Sequence, residues 1–214
     1  MAYLLRIVLP DRPGALGAVA TALGEVGADI LSLDVIERSP GCAIDDLVVE
    51  LPSERLADSL VSAAGTVPGV RVESIRPYAG QIDPYRELEL LDRLATLTGQ
   101  SLHVLADGVA RIFRGGWALV LDVPTGGEAK VLASGGGAPE IASLPTPWWP
   151  PAPARVLEAD ADWAPPDWTR LGTELAVAPL GEAALLVGRP ALRWLPSEML
   201  RLQHLAAIAS TVTR

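Results

Sequence analysis

The sequence has 214 residues, of which 50% are hydrophobic and 20% are charged, as in globular proteins. Lys130 is the only lysine among 17 basic residues, the arginines are scattered singly, and the net charge is −9. This charge excludes typical nucleic-acid binding, which needs clustered basic side chains. The sequence has neither a long apolar run nor a signal-peptide pattern, and its single cysteine, Cys42, has no internal partner. We therefore expect a cytoplasmic protein with no membrane partner.

The first part of the chain alternates between strand and helix periodicities. Apolar residues at every second position predict a strand at 5–9, and a helix follows with Asp11 as candidate N-cap and Gly27 at its end. Alternation returns from Asp29, and a second strand is predicted at 46–51. Pro52-Ser53-Glu54 is predicted to open another helix, and a last strand is predicted at 70–76. The apolar face of that helix is predicted to carry Leu56, Leu60, Val61 and Ala64.

The order βαββαβ specifies an α+β, ferredoxin-like arrangement, in which a four-stranded antiparallel sheet carries two helices on one face. Many unrelated activities use this architecture, so the order of elements does not by itself indicate a function.

Two segments resemble a known family. Leu9-Pro10-Asp11-Arg12-Pro13-Gly14-Ala15-Leu16 closely resembles the "DRPG-L" opening of ACT domains, the amino-acid-sensing modules attached to many metabolic enzymes. Residues 23–30, Leu-Gly-Glu-Val-Gly-Ala-Asp-Ile, resemble the end of the first helix and the start of the second strand in that family. The resemblance covers 3–78 and implies an ACT domain at 1–79. In the family, amino acids commonly bind at the first strand-to-helix loop, between two copies.

The resemblance implies a ligand site in two segments. Gly14 allows close approach to the backbone, and the helix N-terminus beyond it offers N–H groups and a partial positive charge to a carboxylate. The alternative is a tight, capped turn without a ligand. Many amino-acid-binding members have Asn where this chain has Asp29, which can hold an ammonium but cannot donate a hydrogen bond, so the ligand stays open. The implied ligand-binding residues are Asp11, Arg12, Pro13, Gly14, Ala15, Leu16, Asp29 and Ile30.

The remaining chain predicts a linker at 80–84, around Tyr78-Ala79-Gly80-Gln81, and a second domain at 85–214. Asp83-Pro84 is predicted to begin a helix, and a further helix follows Gly99. Strands are predicted at 117–123 and 129–133 around a turn at 125–127, then at 174–180 and 183–188 before a closing helix at Pro196. The apolar stripes of the terminal helices are predicted to be Leu88, Leu91, Leu94 and Ala95, and Met199, Leu202, Leu205, Ala206 and Ala209.

Residues 144–168 are rich in Pro and Trp, which excludes regular structure through most of the segment. Its four tryptophans are predicted to fold back over the domain as a lid, and the alternative is a surface for a partner. Residues 175–209 resemble the ending of a GAF domain. That resemblance implies a GAF-like α/β domain with an antiparallel sheet and flanking helices, which senses a second ligand or mediates dimerisation. The chain as a whole resembles actinobacterial-type ACT domain-containing regulatory proteins. No ligand can be carried over to this half.

Catalytic motifs are missing from the sequence. His103 and His204 stand alone in predicted helices, and neither a Gly-x-Ser-x-Gly elbow nor a phosphate-binding loop occurs. Residues 135–137, three glycines, are interpreted as a flexible turn. The paired acidic residues Asp45, Asp46, Asp160 and Asp162 are interpreted as solvated loop charges. We therefore expect no catalytic residue, no metal and no cofactor, and a protein that is not an enzyme.

The sequence thus predicts a regulatory protein that binds an amino acid through its ACT domain. The sheet face opposite the helices, with Val8, Ser32 and Ile36, is partly apolar and is expected to be covered by a second copy, which makes a homodimer, or by the C-terminal half of the same chain. One alternative is a ligand-free interaction subunit that regulates a separately encoded enzyme or transcription factor. Another is an enzyme with an ACT appendage.

Overall fold

The structure is a computed structural model that describes residues 1–78, 85–97, 99–122, 128–159 and 162–213. The chain divides into two units, Met1–Ile82 and Asp83–Arg214. The linker predicted at 80–84, the helix start at Asp83-Pro84, the turn at 125–127 and Asp160 lie outside the described residues. No described helix is both long enough and apolar enough to cross a membrane.

The N-terminal unit has the predicted order βαββαβ. Its elements are β1 (Ala2–Pro10), α1 (Ala15–Glu25), β2 (Asp29–Ser39), β3 (Cys42–Glu50), α2 (Asp58–Gly65) and β4 (Arg71–Pro77). The four strands form one antiparallel sheet in the order β2-β3-β1-β4. Leu5, Ile7 and Leu9 of β1 pack with residues of both helices into one core. The predicted ferredoxin-like fold is confirmed.

Two sequence predictions in this unit are wrong. The second helix begins at Asp58 and not at Pro52-Ser53-Glu54, because backbone hydrogen bonds from Arg55 to Pro52 and from Ser59 to Leu56 close turns there instead. Leu56 is consequently exposed and does not belong to the helix face.

The apolar pattern of the edge strand β2 also differs from simple alternation. Its pairing with β3 shifts register between Ile30 and Ser32 and again between Val35 and Glu37, so its side chains do not keep one period. Val8, Ser32 and Ile36, expected on an exposed face, are half-buried. The exposed apolar residues of β2 are Leu31, Leu33 and Val35.

The C-terminal unit is a six-stranded antiparallel sheet with three of its helices on one face. Its sheet order is β7-β6-β5-β10-β9-β8. Its elements are α3 (Arg86–Thr96), α4 (Ser101–Ile112), β5 (Trp117–Asp122), β6 (Glu128–Gly136), β7 (Ser143–Pro145), β8 (Arg155–Leu157), α5 (Pro166–Arg170), β9 (Thr173–Leu180), β10 (Ala183–Pro190) and α6 (Pro196–Val212). Residues of α3, α4 and α6 share one core with the sheet. The predicted antiparallel sheet with flanking helices is confirmed.

The tryptophan-rich segment covers the other face of this sheet. Trp148 and Trp168 are buried in a second core with Leu119 and Leu186. The ring centroids of Trp117 and Trp168 lie 4.8 Å apart, and those of Trp148 and Trp163 lie 5.9 Å apart. The lid interpretation is confirmed for these rings.

Two further sequence predictions, the apolar stripe of α3 and the turn at 135–137, are wrong because of close packing against α4. In α3 the buried residues are Leu90 and Leu94, whereas Leu88 and Ala95 are exposed. Leu90 packs over Gly108 of α4, where a Cβ atom would lie 2.5 Å from the Leu90 Cδ1 atom. Gly135 belongs to β6 and not to a flexible turn. The position requires glycine because a Cβ atom there would lie 2.2 Å from the backbone nitrogen of Asp107 in α4.

A buried ion pair joins β10 to the start of α6. Arg189 donates to both carboxylate oxygens of Glu198, at 2.9 and 2.6 Å, and to the carbonyls of Phe113 and Leu192. Glu198 also accepts a hydrogen bond from the backbone N–H of Leu195, which caps the helix. Both charged side chains are buried, so the loss of either partner leaves a costly unpaired charge.

We predict that Glu198→Gln lowers the free energy of unfolding of the C-terminal unit by about 3 kcal/mol, because it removes the buried negative charge that pairs with Arg189. All six tryptophans lie after residue 116, so tryptophan fluorescence during urea unfolding reports this unit alone. Glu182→Gln, which alters an exposed carboxylate in the β9–β10 turn, is the control. An equal unfolding midpoint for the two variants would contradict the prediction.

Candidate functional site

The loop between β1 and α1 holds its shape through backbone contacts. Gly14 is the N-cap of α1 with φ of 86°, a left-handed conformation that favours glycine, and no side chain caps the helix. The N–H of Ala15 donates to the carbonyl of Arg12 at 3.2 Å. Asp11, Arg12, Pro13 and Gly14 are exposed, Leu16 is half-buried and Ala15 is buried. The N-terminal turn of α1 is therefore accessible from this loop.

Asp11 does not cap the helix, so that prediction is wrong. Its carboxylate instead accepts a hydrogen bond of 2.6 Å from the guanidinium of Arg38, near the end of β2. This bond raises the pKa of Arg38 above its usual value. The Arg38 side chain is 66% exposed, and an exposed ion pair of this kind contributes little to stability. Arg38 can leave Asp11 at little cost.

Asp45 and Asp46 are neighbours in β3 that point to opposite faces of the sheet. Asp46 lies opposite Arg6 of β1 and accepts two hydrogen bonds of 2.8 Å from its guanidinium. Asp45 lies between Ile7 of β1 and Val35 of β2, on the face that carries the helices. Both aspartates are buried, so their interpretation as solvated loop charges is wrong, whereas Asp162 is exposed as expected.

Asp45 lacks the compensation that Asp46 has. Its residue exposure is 3%, and within the described part of the chain its Oδ1 atom has no hydrogen-bond partner. Burial raises the pKa of Asp45, the nearby positive charge of Arg38 lowers it, and the negative charge of Asp11 raises it. Asp45 therefore belongs to the same charge cluster as the loop residue Asp11. The sequence carried a signal for this, since apolar residues flank the two aspartates on both sides, as in a central strand.

The structure does not bring all of the predicted ligand-binding residues together. Asp29 and Ile30 pair with Glu50 and Val49 at one end of the sheet, whereas Pro10, which leads into the loop, pairs with Cys42 at the other. At the usual strand rise, these ends are about 26 Å apart. Within one chain, residues 11–16 and residues 29–30 cannot contact the same small molecule.

Other chemically reactive side chains do not cluster in the described residues. His103 and His204 are exposed on α4 and α6, and Cys42 is half-buried at the start of β3. No three histidine, cysteine or acidic side chains among the described residues are grouped so that they could hold a metal ion.

Comparison with known families identifies the domain that contains this loop. The family model of the ACT domain matches residues 3–68, from β1 through α2. Residues 3–68 are an ACT domain. The match indicates a regulatory domain that binds a small ligand, and it includes both the β1–α1 loop and Asp45.

A curated relative matches part of the chain. Over 76 residues the chain is 29% identical to NAD-dependent malic enzyme 1 of Bacillus subtilis, which corresponds to 35% of this chain and 17% of that protein. The chain therefore spans less than a fifth of the length of this relative.

Solved structures resemble a larger share of the chain than the ACT domain occupies. A free methionine-R-sulfoxide reductase from Neisseria meningitidis has a TM-score of 0.51 at 17% identity, over 64% of this chain and 95% of that one. GAF domains of phosphoenolpyruvate-protein phosphotransferases score 0.47 at 14% identity for Acinetobacter, over 60% of this chain and 90% of that one. The corresponding GAF domain from Coxiella burnetii has a TM-score of 0.46 at 10% identity, over 61% of this chain and 94% of that one. All three likenesses concern the fold alone.

We predict opposite effects on stability for the two neighbouring aspartates at neutral pH. Asp46→Asn removes the negative charge that accepts two hydrogen bonds from the buried Arg6 guanidinium, and lowers the free energy of unfolding by about 3 kcal/mol. Asp45→Asn removes an uncompensated buried charge and raises the melting temperature. Calorimetry of the full chain measures both, with tryptophan fluorescence identifying the transition of the C-terminal unit.

The gain from Asp45→Asn should depend on pH. Folding raises the pKa of Asp45 above the value of 3.8 for an unfolded chain. Between pH 3.8 and the raised pKa, the folded state therefore binds more protons than the unfolded state. The contribution of Asp45 to stability is therefore present in acid and is lost as the pH rises through its folded pKa. The difference between Asp45→Asn and the parent should shrink as the pH falls towards 3.8. A difference that grows in acid would contradict this.

Proposed function

We propose that this chain is a non-enzymatic regulatory protein of the cytoplasm, and that its ACT domain binds an amino acid at the β1–α1 loop. The observation that carries the proposal is the N-terminus of α1, which no side chain caps and which lies in an exposed loop within the matched ACT domain. The first N–H groups of a helix have no partner inside the helix, and together with the helix dipole they favour a carboxylate.

A ligand-free interaction subunit is the second candidate. Asp29 favours it, because an aspartate cannot donate the hydrogen bond that an amide offers to a ligand carboxylate. Such a subunit would regulate an enzyme or transcription factor encoded elsewhere. The GAF-like unit would sense a second ligand or hold two copies together in either case.

A homodimer is part of the proposal. The edge strand β2 exposes Leu31, Leu33 and Val35, and an apolar edge of this kind is a template for pairing with another chain. Two copies also offer a way for residues from opposite ends of the sheet to reach one ligand, since residues 11–16 of one copy and residues 29–30 of the other need not be far apart.

We predict that at least one of the twenty L-amino acids raises the melting temperature of the ACT domain. A ligand at a hundred times its Kd adds about 2.7 kcal/mol, which for a domain of this size is a shift on the order of 10 °C. Gly14→Ala should abolish the shift. A Cβ atom there meets nothing in the chain itself, so it would occupy open space through which a ligand approaches the loop backbone. Gly27→Ala, at a position with φ of 79° beyond the other end of α1, is the matched control. The absence of any shift would favour the interaction subunit.

We also predict that the double variant Leu31→Lys, Leu33→Lys weakens dimerisation at least tenfold, because two charges replace exposed apolar contacts on β2. Sedimentation over a concentration series gives the dissociation constant. Leu56→Lys, at an exposed apolar residue of the same unit outside β2, should have no effect. A parent protein that is monomeric at every concentration would rule out the homodimer.

A further inference from the structure

We propose that Asp45 recognises the ammonium group of the ligand at the β1–α1 loop, and that the site therefore selects a zwitterionic amino acid over a carboxylic acid without an amine. The proposal rests on the proposed function and names the residue that would determine its specificity.

The fold places Asp45 at the loop end of the sheet, on the helix face. Asp45 is three residues along β3 from Cys42, the partner of Pro10, and its own β1 partner is the core residue Ile7. Arg38 and Asp11 stand on the loop side of Asp45, near enough for their charges to affect it. The exposed loop before α1 and the buried Asp45 carboxylate therefore lie towards the same end of this unit, and their charges are opposite to those of the two charged groups of an amino acid.

The unpaired Oδ1 atom of Asp45 is what points to a ligand. A buried carboxylate is costly unless it is paired and hydrogen-bonded, and the neighbouring Asp46 meets that requirement through Arg6. A carboxylate only accepts hydrogen bonds, whereas an ammonium offers three donors and one positive charge. An α-ammonium would supply both the hydrogen bond and the charge that Asp45 lacks.

Arg38 is the positive charge that acts on Asp45, but it does not donate a hydrogen bond to Oδ1 of Asp45. Its guanidinium bonds to Asp11 and is largely exposed, and Oδ1 of Asp45 remains without a hydrogen bond. A metal ion is also a poor match, because no group of three suitable ligands exists among the described residues. The ammonium of an amino acid fits better. It needs only the buried carboxylate of Asp45, while the N–H groups of the loop bind the carboxylate of the same ligand.

The exposed pair of Asp11 and Arg38 gives the ligand a low-cost entry. An exposed ion pair is worth little, so a ligand can displace Arg38 from Asp11 without a large penalty. The freed guanidinium remains close to the loop, where it adds a second positive group for the ligand carboxylate. Ligand binding would thus give the Asp45 carboxylate a positively charged partner without disturbing the core.

The experiment measures binding to the full chain by thermal shift and calorimetry. The probes are the twenty L-amino acids and, for each one that binds, the 2-hydroxy acid in which a hydroxyl replaces the ammonium. The parent should bind the amino acid at least tenfold more tightly than the hydroxy acid. Asp45→Asn should weaken amino-acid binding at least tenfold while the unliganded protein melts no lower than the parent. Asp58→Asn, at an exposed carboxylate at the start of α2, should bind as the parent does.

The outcomes separate this inference from the proposed function. If an amino acid binds and Asp45→Asn binds it within twofold of the parent, the role of Asp45 is overturned and amino-acid binding stands. Equal affinity of the parent for the amino acid and its hydroxy acid overturns the role in the same way. If none of the twenty amino acids binds, both proposals fall. Asp45→Glu, which keeps the charge, should retain more affinity than Asp45→Asn, and the reverse order would also overturn the role.

Discussion

The ion pair between Arg6 and Asp46 marks the register of β1 against β3, and the N-terminal unit depends on that register. The two residues are cross-strand partners, and each is buried with both hydrogen bonds made. Because side chains alternate between the faces of a strand, a slip by one residue would exchange the two faces. Leu5 and Ile7 would leave the helices, and Arg6 would enter the apolar core. The same alternation fixes Asp45 on the helix face. The register set by Arg6 and Asp46 on one face therefore places the Asp45 carboxylate on the other.

The elements that the sequence predicts well are those whose apolar period is set by one dominant contact. β1 alternates against the helix layer, and the stripe of α6 from Leu202 to Ala209 is buried as predicted. The errors arise where a contact distant in sequence decides. The face of α3 is displaced because Leu90 needs the bare backbone of Gly108, and no local periodicity reports a glycine in another helix.

The candidate site shows the same limit more strongly. The loop residues 11–16 are recognisable because their conformation is local, with Gly14 at a left-handed position. Asp45 lies far along the chain and approaches the loop only through strand pairing. In the sequence, Asp45 and Asp46 therefore resemble a pair of solvated acidic residues. Asp29 and Ile30 present the opposite case. The resemblance groups them with the loop as ligand-binding residues, and the length of α1 carries them to the far end of the sheet.

Regulation requires that a ligand bind two states of the protein unequally. Strand β2 is the element through which that difference can arise, because it carries Arg38 beside the loop and also the exposed residues Leu31 and Leu33. A ligand that takes Arg38 from Asp11 changes the end of an edge strand whose two register shifts already loosen its pairing with β3. If a second copy pairs along that strand, ligand and partner act on the same element. Linkage then makes the effect reciprocal, so that a ligand that strengthens pairing must itself bind the paired form more tightly by the same factor.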